Sequence, residues 1–306
     1  MLLFKKLIFA LPLLASFVFF SSQLAPFLQN PNSILSLDTS ILYSLILLLV
    51  SLLTSCFFFT IFITLSQDWR IILPVIFLGS LFPLLFLAPP LNFVLTAGFL
   101  LSLVISSLQL QKKLSTYLTF QPTNLLTPSI KQTATFLILI SSLAFYLSSN
   151  LDLQQHGFKL PPSLLDTALK FMPQQESGNL GTEPTIPSIP PEQLEMLEKN
   201  PQLLKQYGLD PSILQTVKSQ QGKSQKLSTQ DLVRPMIESQ VQSFIKPFEN
   251  YIPLLLTVIF FFTLESFVSL LSIFLSPLLW LLFLTLEKSG FTKFETEMRE
   301  VKKLVV

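Results

Sequence analysis

The sequence contains very little of the side-chain chemistry on which catalysis and metal binding usually depend. Among its 306 residues it has one cysteine, Cys56, and one histidine, His156. One cysteine excludes an intrachain disulfide and any CxxC redox or metal site, and a lone histidine argues against a zinc site. No HExxH or GxSxG pattern occurs either. We therefore predict no catalytic residue, no cofactor and no metal site.

Charged residues are also scarce, at 12% of the chain, and the net charge is only +2. This balance gives no electrostatic reason to expect a nucleic-acid partner. Half of the residues are apolar and the mean hydropathy is +0.59, which is too hydrophobic for one soluble globule. The excess of apolar side chains predicts that the lipid bilayer is a main partner of the chain.

Five apolar segments in the first half of the chain are long enough to cross a membrane. A transmembrane helix needs about 20 mainly apolar residues to cross a hydrocarbon core about 30 Å thick. The five segments are 7–28, 41–65, 71–88, 91–110 and 132–151. Together they predict a five-span N-terminal membrane bundle over residues 1–151. Because two lysines precede the first segment, we interpret it as an uncleaved signal anchor, with a cleavable signal peptide as the alternative.

Prolines set two of the expected boundaries. Pro89 and Pro90 cannot continue a helix, so they predict the end of the third span. Between Lys113 and Lys131 the chain is punctuated by proline and too polar to cross a membrane. We expect this stretch to lie on the membrane surface, and the fifth span to begin at Gln132.

The last hydrophobic run, 252–286, is long for one crossing and short for two. Basic residues in the tail 288–306 prefer the cytoplasm, which favours a single crossing in the C-terminal membrane segment 251–287. A hairpin that turns at Glu265 and Ser266 is the alternative and would give seven spans. The predicted fold class is therefore all-α: a polytopic integral membrane helical bundle of about six spans with a small helical extracytoplasmic insert.

Glu265 is the only ionisable residue in this last run. Charged groups are expensive in lipid unless they are used, so Glu265 is the candidate intramembrane or interface polar site. In either topology we expect it near a membrane interface. It supports the hypothesis of a permease or channel subunit, which is the alternative to the interaction protein described below.

Basic residues predict the orientation of the chain. The N-terminal segment and the loops on one side of the predicted spans contain Lys5, Lys6, Arg70, Lys112, Lys113 and Lys131, whereas the loops 29–40 and 88–91 contain none. Because Lys and Arg in short loops are retained in the cytoplasm, we predict a protein of a bacterial plasma (cytoplasmic) membrane with its N-terminus inside. The insert 152–250 is then extracytoplasmic and the charged tail 288–306 is cytoplasmic.

The insert has three parts that differ in composition. Residues 173–191 are rich in Pro, Ser, Gly and Thr and predict a linker. Residues 190–218 contain a ten-residue repeat, described below, that predicts short helices. Residues 229–248 place apolar side chains at steps of three and four, which predicts an amphipathic helix that leads into the last membrane segment.

The repeat is clearest in Asn200-Pro201 and Asp210-Pro211. Asn or Asp accepts a first-turn amide, and proline occupies the first helical position, where no donor is needed. The pair resembles short helices in modules found in co-chaperones, over a short stretch that carries no functional position. Helices this short are unstable alone, so their apolar faces must pack on each other, on lipid or on a partner. The predicted partner-contact residues are Leu203, Leu204, Tyr207, Ile213, Leu214 and Val217.

The leading functional hypothesis is a non-enzymatic scaffold or interaction protein that presents this insert. Its partner would be another membrane or envelope protein, or a second copy of the chain. A self-packed helical cluster without a ligand is the alternative interpretation of the repeat. The third hypothesis is a membrane enzyme acting on a lipid-linked substrate, and the residues available to it are Asp38, Asp152 and His156. We interpret these two carboxylates as solvated charges near span ends.

Overall fold

The computed structural model describes residues 7–35, 38–116, 121–157 and 246–292. Within these ranges every regular element is helical and no strand occurs. The predicted linker, the short-helix repeat with its six contact residues, most of the amphipathic helix and the charged tail beyond residue 292 lie outside the described residues. The chain divides into two units, one formed by 1–157 with 252–306 and the other by 158–251.

The first unit is built from eight α-helices among the described residues. They are α1 (Ala10–Gln29), α2 (Thr39–Ser66), α3 (Trp69–Ser80), α4 (Pro83–Phe86), α5 (Leu91–Thr116), α6 (Pro122–His156), α7 (Ile252–Leu271) and α8 (Leu275–Lys288). In the second unit the described part is a short 3₁₀ helix, Lys246–Tyr251.

Six helical segments of the described chain are long and apolar enough to cross a membrane. They are Ala10–Gln29, Thr39–Ser66, Trp69–Phe86, Leu91–Thr116, Pro122–Gln155 and Pro247–Lys288. This agrees with the predicted all-helical, multi-pass membrane class. The protein is therefore a membrane protein with up to six crossings among the described residues.

The third and fifth spans differ from the prediction. The third is broken between α3 and α4, where Pro83 begins a new first turn. The fifth helix begins at Pro122, ten residues before the predicted start at Gln132, so part of the stretch that was expected to lie on the membrane surface is the first part of α6. Pro122 is tolerated because first-turn amides have no partner within a helix, and Pro128 removes only one amide from the helix interior.

The last span follows one continuous helical path. A single 3₁₀ turn, Ser272–Phe274, joins α7 to α8, and the residues that flank it, Leu271 and Leu275, both have helical backbone angles. Glu265 and Ser266 lie inside α7. The turn that a seven-span hairpin needs at these two residues does not form.

Contacts at helix termini define one end of the bundle, which we call the insert end because segment 158–251 leaves and re-enters there. The Asn32 amide donates to the Asp152 carboxylate over 3.0 Å, and the Gln29 amide donates to the Phe86 carbonyl over 3.3 Å. The Ser148 hydroxyl donates to the carbonyl oxygen of Leu28. These bonds hold the C-terminal parts of α4 and α6 to the end of α1 and the residues that follow it.

The opposite end, which we call the basic end, carries the charged residues that follow the other helix termini. Lys113 Nζ donates to Gln132 Oε1 over 3.1 Å and holds the end of α5 beside α6. The rings of Phe9 and Phe291 meet edge to face, which brings the start of α1 to the chain that follows α8. The other described basic residues of the first unit belong to the same end: Arg70 and Lys288 are in the terminal turns of α3 and α8, Lys112 is near the end of α5, and Lys131 is in the first ten residues of α6.

Helix α2 forms the centre of the bundle. Leu48, Cys56 and Phe62 are fully buried in it, together with most of the side chains around them. The buried hydroxyl of Ser66, the last residue of α2, has no partner among the described residues. The other four buried hydroxyls stay within the helix, because each donates to a carbonyl three or four residues earlier; the bonds from Ser55 and Thr60 both measure 2.8 Å. The core is therefore apolar, and these hydroxyls need no ligand.

Candidate functional site

Glu265 lies inside α7 and contacts α6. Its Oε1 atom accepts a hydrogen bond of 3.0 Å from the Thr135 hydroxyl, 130 residues away along the chain. The residue is 13 positions after the first residue of α7, or about 20 Å along the helix axis. The carboxyl group therefore sits in the body of the helix, away from turns and helix ends.

This carboxyl group is only partly satisfied. The Thr135 hydroxyl has one proton but two acceptors, because the Lys131 carbonyl oxygen is also within 3.1 Å. The other carboxylate oxygen, Oε2, is buried and has no hydrogen-bond partner in the described part of the chain. A polar atom without a partner in an apolar setting costs about 1–3 kcal/mol, and more when it is charged. The pair is thus an energetic weak point in an otherwise apolar interface.

A groove lies beside this pair, between α6 and α7, with a volume of about 490 Å³. It is lined by Leu139, Ile140, Ser142, Leu143, Tyr146, Leu254, Thr257, Val258, Phe261 and Phe262. Most of these side chains are apolar, and Phe262 at its rim is 61% exposed. The groove opens on the outside of the bundle, where apolar side chains meet lipid.

Next to this groove, α6 packs closely against α5. A methyl group added at Gly98 would overlap the side chain of Ile140, which lines the groove. Only glycine lets the two helices pack this closely at that level. Gly98 therefore sets the position of the groove wall.

The other candidate residues do not form a site with Glu265. Asp38 precedes α2 without capping it through its side chain and lines a second groove of about 330 Å³ with Thr263. Asp152 is engaged by Asn32 at the insert end. No group of three His, Cys, Asp or Glu residues within the described ranges could hold a metal ion. The side chain of His156 lies outside the described residues.

Comparisons with protein-family models, with curated proteins and with solved structures find no match to this chain.

Sequence reasoning found Glu265 but missed its surroundings. Its isolation in an apolar run was a sufficient local signal. Thr135 and the groove arise from the pairing of α6 with α7, which no local pattern indicates. The close approach at Gly98 was also missed, since Gly79 lies in a span too and only the structure separates the two glycines.

Proposed function

We propose that this protein is a non-enzymatic membrane scaffold whose helical bundle holds segment 158–251 on the extracytoplasmic side, where it binds another membrane or envelope protein. The observation that supports this most is the position of α6 and α7. They pack as antiparallel neighbours, with Phe145 stacked on Phe260 at 4.7 Å between ring centroids. The segment between them therefore leaves and returns at one end of the bundle.

The distribution of charge supports the proposed orientation. The described basic residues of the bundle belong to the basic end, opposite the insert end. Lys and Arg near the ends of membrane spans are retained in the cytoplasm, so the insert end would face outward in the plasma membrane. The positions of Lys5 and Lys6, just before α1, agree with this orientation.

The packing of the bundle favours an anchor over a catalyst. Ionisable side chains are few in the described spans, and the two carboxylates Asp152 and Glu287 lie near helix ends. Four of the five buried hydroxyls in α2 bond within their own helix. Binding would then fall to the insert, through the apolar faces of its proposed short capped helices.

A pair of matched variants tests this proposal. Leu204→Asp combined with Leu214→Asp places charges on the proposed contact faces, and we expect copurified partner proteins to be lost while the membrane level of the chain stays normal. Gln206→Asp combined with Gln215→Asp adds the same charges at polar positions of the same repeat and should leave the partners bound. An unchanged set of partners in the leucine variant would refute the scaffold proposal.

Glu265 supports a second candidate function, a permease or channel subunit. A carboxylate with an unpartnered oxygen inside a span is typical of ion or proton pathways. The test is proton and monovalent-cation flux into vesicles reconstituted with the whole chain. This candidate predicts that Glu265→Gln abolishes the flux and that Glu287→Gln, at the end of α8, does not. Equal flux in both variants would remove the support for this function.

A further inference from the structure

The last helical run is longer than one membrane crossing needs. The run Pro247–Lys288 contains 42 residues. A straight helix of this length would measure about 63 Å, whereas the hydrocarbon core of a bilayer is about 30 Å thick. Helix α7 alone, with 20 residues, is about 30 Å long and is sufficient for the crossing. Helix α8 is therefore left over once the core has been crossed.

Helix α6 shows where the core ends beside this run. Lys131 and Asp152 are 21 positions apart on α6 with no charged residue between them, a rise of about 31 Å. Ser276, the second residue of α8, has its hydroxyl 3.5 Å from that of Thr127, four residues before Lys131. Helix α8 therefore begins about 6 Å beyond the level of Lys131, on the side away from the core.

The other end of α8 returns to the same level. The ring of Phe291, just after α8, lies 6.1 Å from the ring of Phe9, which directly precedes α1. Helices α1 and α6 run in the same direction and meet where the Ser148 hydroxyl bonds to the Leu28 carbonyl. Phe9 is 19 positions before that contact on α1, and Lys131 is 17 positions before it on α6. Both ends of α8 are thus near the level of Lys131, so its 14 residues run along the boundary of the core.

The local sequence gives a physical reason for this change of direction. A 3₁₀ turn, Ser272–Phe274, separates α7 from α8, and Pro277 follows three residues later. Proline has no amide hydrogen, so the Ile273 carbonyl receives no helical bond from it, and the ring crowds the preceding turn. Sharp bends in helices are found at such positions. The path of α7 can therefore turn into the plane of the membrane here.

We propose that α7 is the whole of the last crossing and that α8 is an interfacial helix, whose outward face is embedded in the headgroup–acyl boundary of the leaflet at the basic end. This face presents Leu278, Trp280 and Leu281, which are 47–59% exposed, and it continues the exposed apolar surface of α7. Tryptophan is enriched at this depth of a bilayer, and helices of this kind lie in the interface plane. Glu287 and Lys288 in the last turn are exposed and reach the headgroups. The proposal does not depend on which side of the membrane the insert occupies.

The depth of Trp280 tests this proposal on the whole chain. The protein has two tryptophans, so Trp69→Phe leaves Trp280 as the only one. Its fluorescence is measured in phosphatidylcholine vesicles whose lipids have bromine atoms either near the top or near the end of the acyl chain. We expect the shallow bromines to quench Trp280 about twofold more strongly than the deep ones. Equal or stronger quenching by the deep bromines would overturn the proposal, because α8 would then lie in the core.

A matched variant and a second measurement complete the test. Trp280→Phe leaves Trp69, which begins α3 at the same end of the bundle and should show the same shallow profile. Trp69→Tyr replaces Trp69→Phe in case the latter is poorly folded. If neither lipid quenches Trp280, the outward face is in water or covered by protein, and the proposal is overturned. Disulfide-linked dimers of a Leu278→Cys variant would then assign this face to a second copy of the chain.

Discussion

Helix α2 and the α7–α8 path are the two most apolar spans of the protein, yet they are packed in opposite ways. Their mean hydropathies are 2.6 and 2.4, but 72% of the apolar window of α2 is buried inside the protein and only 28% of that of the last span. Lipid is as apolar as a leucine side chain, so hydropathy cannot separate a central helix from a peripheral one. The difference lies in packing and in where polar groups are left unsatisfied.

The two spans also differ in hydrogen bonding: most buried hydroxyls of α2 are paired within their own helix, whereas the carboxylate of α7 is only partly paired. In α2, Ser51 and Thr64 each donate to a carbonyl of their own helix over 2.7 Å. In α7, Glu265 keeps an unpartnered oxygen, and a groove opens on the same side as its contact with α6. The central helix therefore packs mainly inside the protein, and the peripheral path leaves most of its surface exposed.

The comparison is tested most strongly by removing one phenyl ring from each span. Phe59 in α2 is 1% exposed and Phe262 in α7 is 61% exposed. We expect Phe59→Ala to lower the free energy of unfolding by about 3 kcal/mol, because it leaves a cavity, and Phe262→Ala to change it by less than about 0.5 kcal/mol. Reversible unfolding in mixed micelles measures both, and similar losses would mean that the two helices are not packed differently.

A smaller effect is expected from the two glycines within spans. Gly98→Ala forces a methyl group against the β-branched side chain of Ile140, which has little freedom to move, and should cost about 2 kcal/mol. A methyl group at Gly79 would meet Phe17 at an ordinary 3.6 Å, so Gly79→Ala should be neutral or slightly stabilising. Thermal unfolding of both variants checks this, and a stable Gly98 variant would rule out close packing of α5 on α6.

The smallest effect concerns the Glu265 contact. Thr135→Val removes the donor to Oε1 and should lower the free energy of unfolding by about 1 kcal/mol. Thr133→Val is the control, since the Thr133 hydroxyl donates only to the Ser129 carbonyl of its own helix. If the two variants lose the same stability in micelles, the contact between α6 and α7 contributes nothing.

Local pattern was sufficient to predict where most helices lie. The bounds of segment 41–65 are within two residues of those of α2, and segment 91–110 ends within two turns of the end of α5, because long apolar runs in lipid have to form helices to satisfy their backbone groups. The predicted start of the fifth span was too late because the stretch before Gln132 is too polar to cross a membrane by composition, although Pro122 is a favourable helix start.

The site was harder to predict than the helices. Glu265 could be selected by composition alone, but the partner of its carboxyl group is Thr135, in a helix separated from it by the whole insert. The choice between one and two crossings in 252–286 also depended on backbone geometry, which is helical at Glu265 and Ser266 and stays helical through the 3₁₀ turn at 272–274. Tertiary pairing therefore carries the information that local sequence lacks.

The central claim is that the insert and the basic end lie on opposite sides of the membrane after six crossings. Single cysteines at Ser177 in the insert, Ser115 in the last turn of α5 and Ser289 after α8 are tested with a membrane-impermeant maleimide in intact cells; the native Cys56 is fully buried and should stay unlabelled. The proposed topology predicts labelling at position 177 only, with 115 and 289 reacting after permeabilisation. Labelling of position 289 in intact cells together with 177 would contradict it.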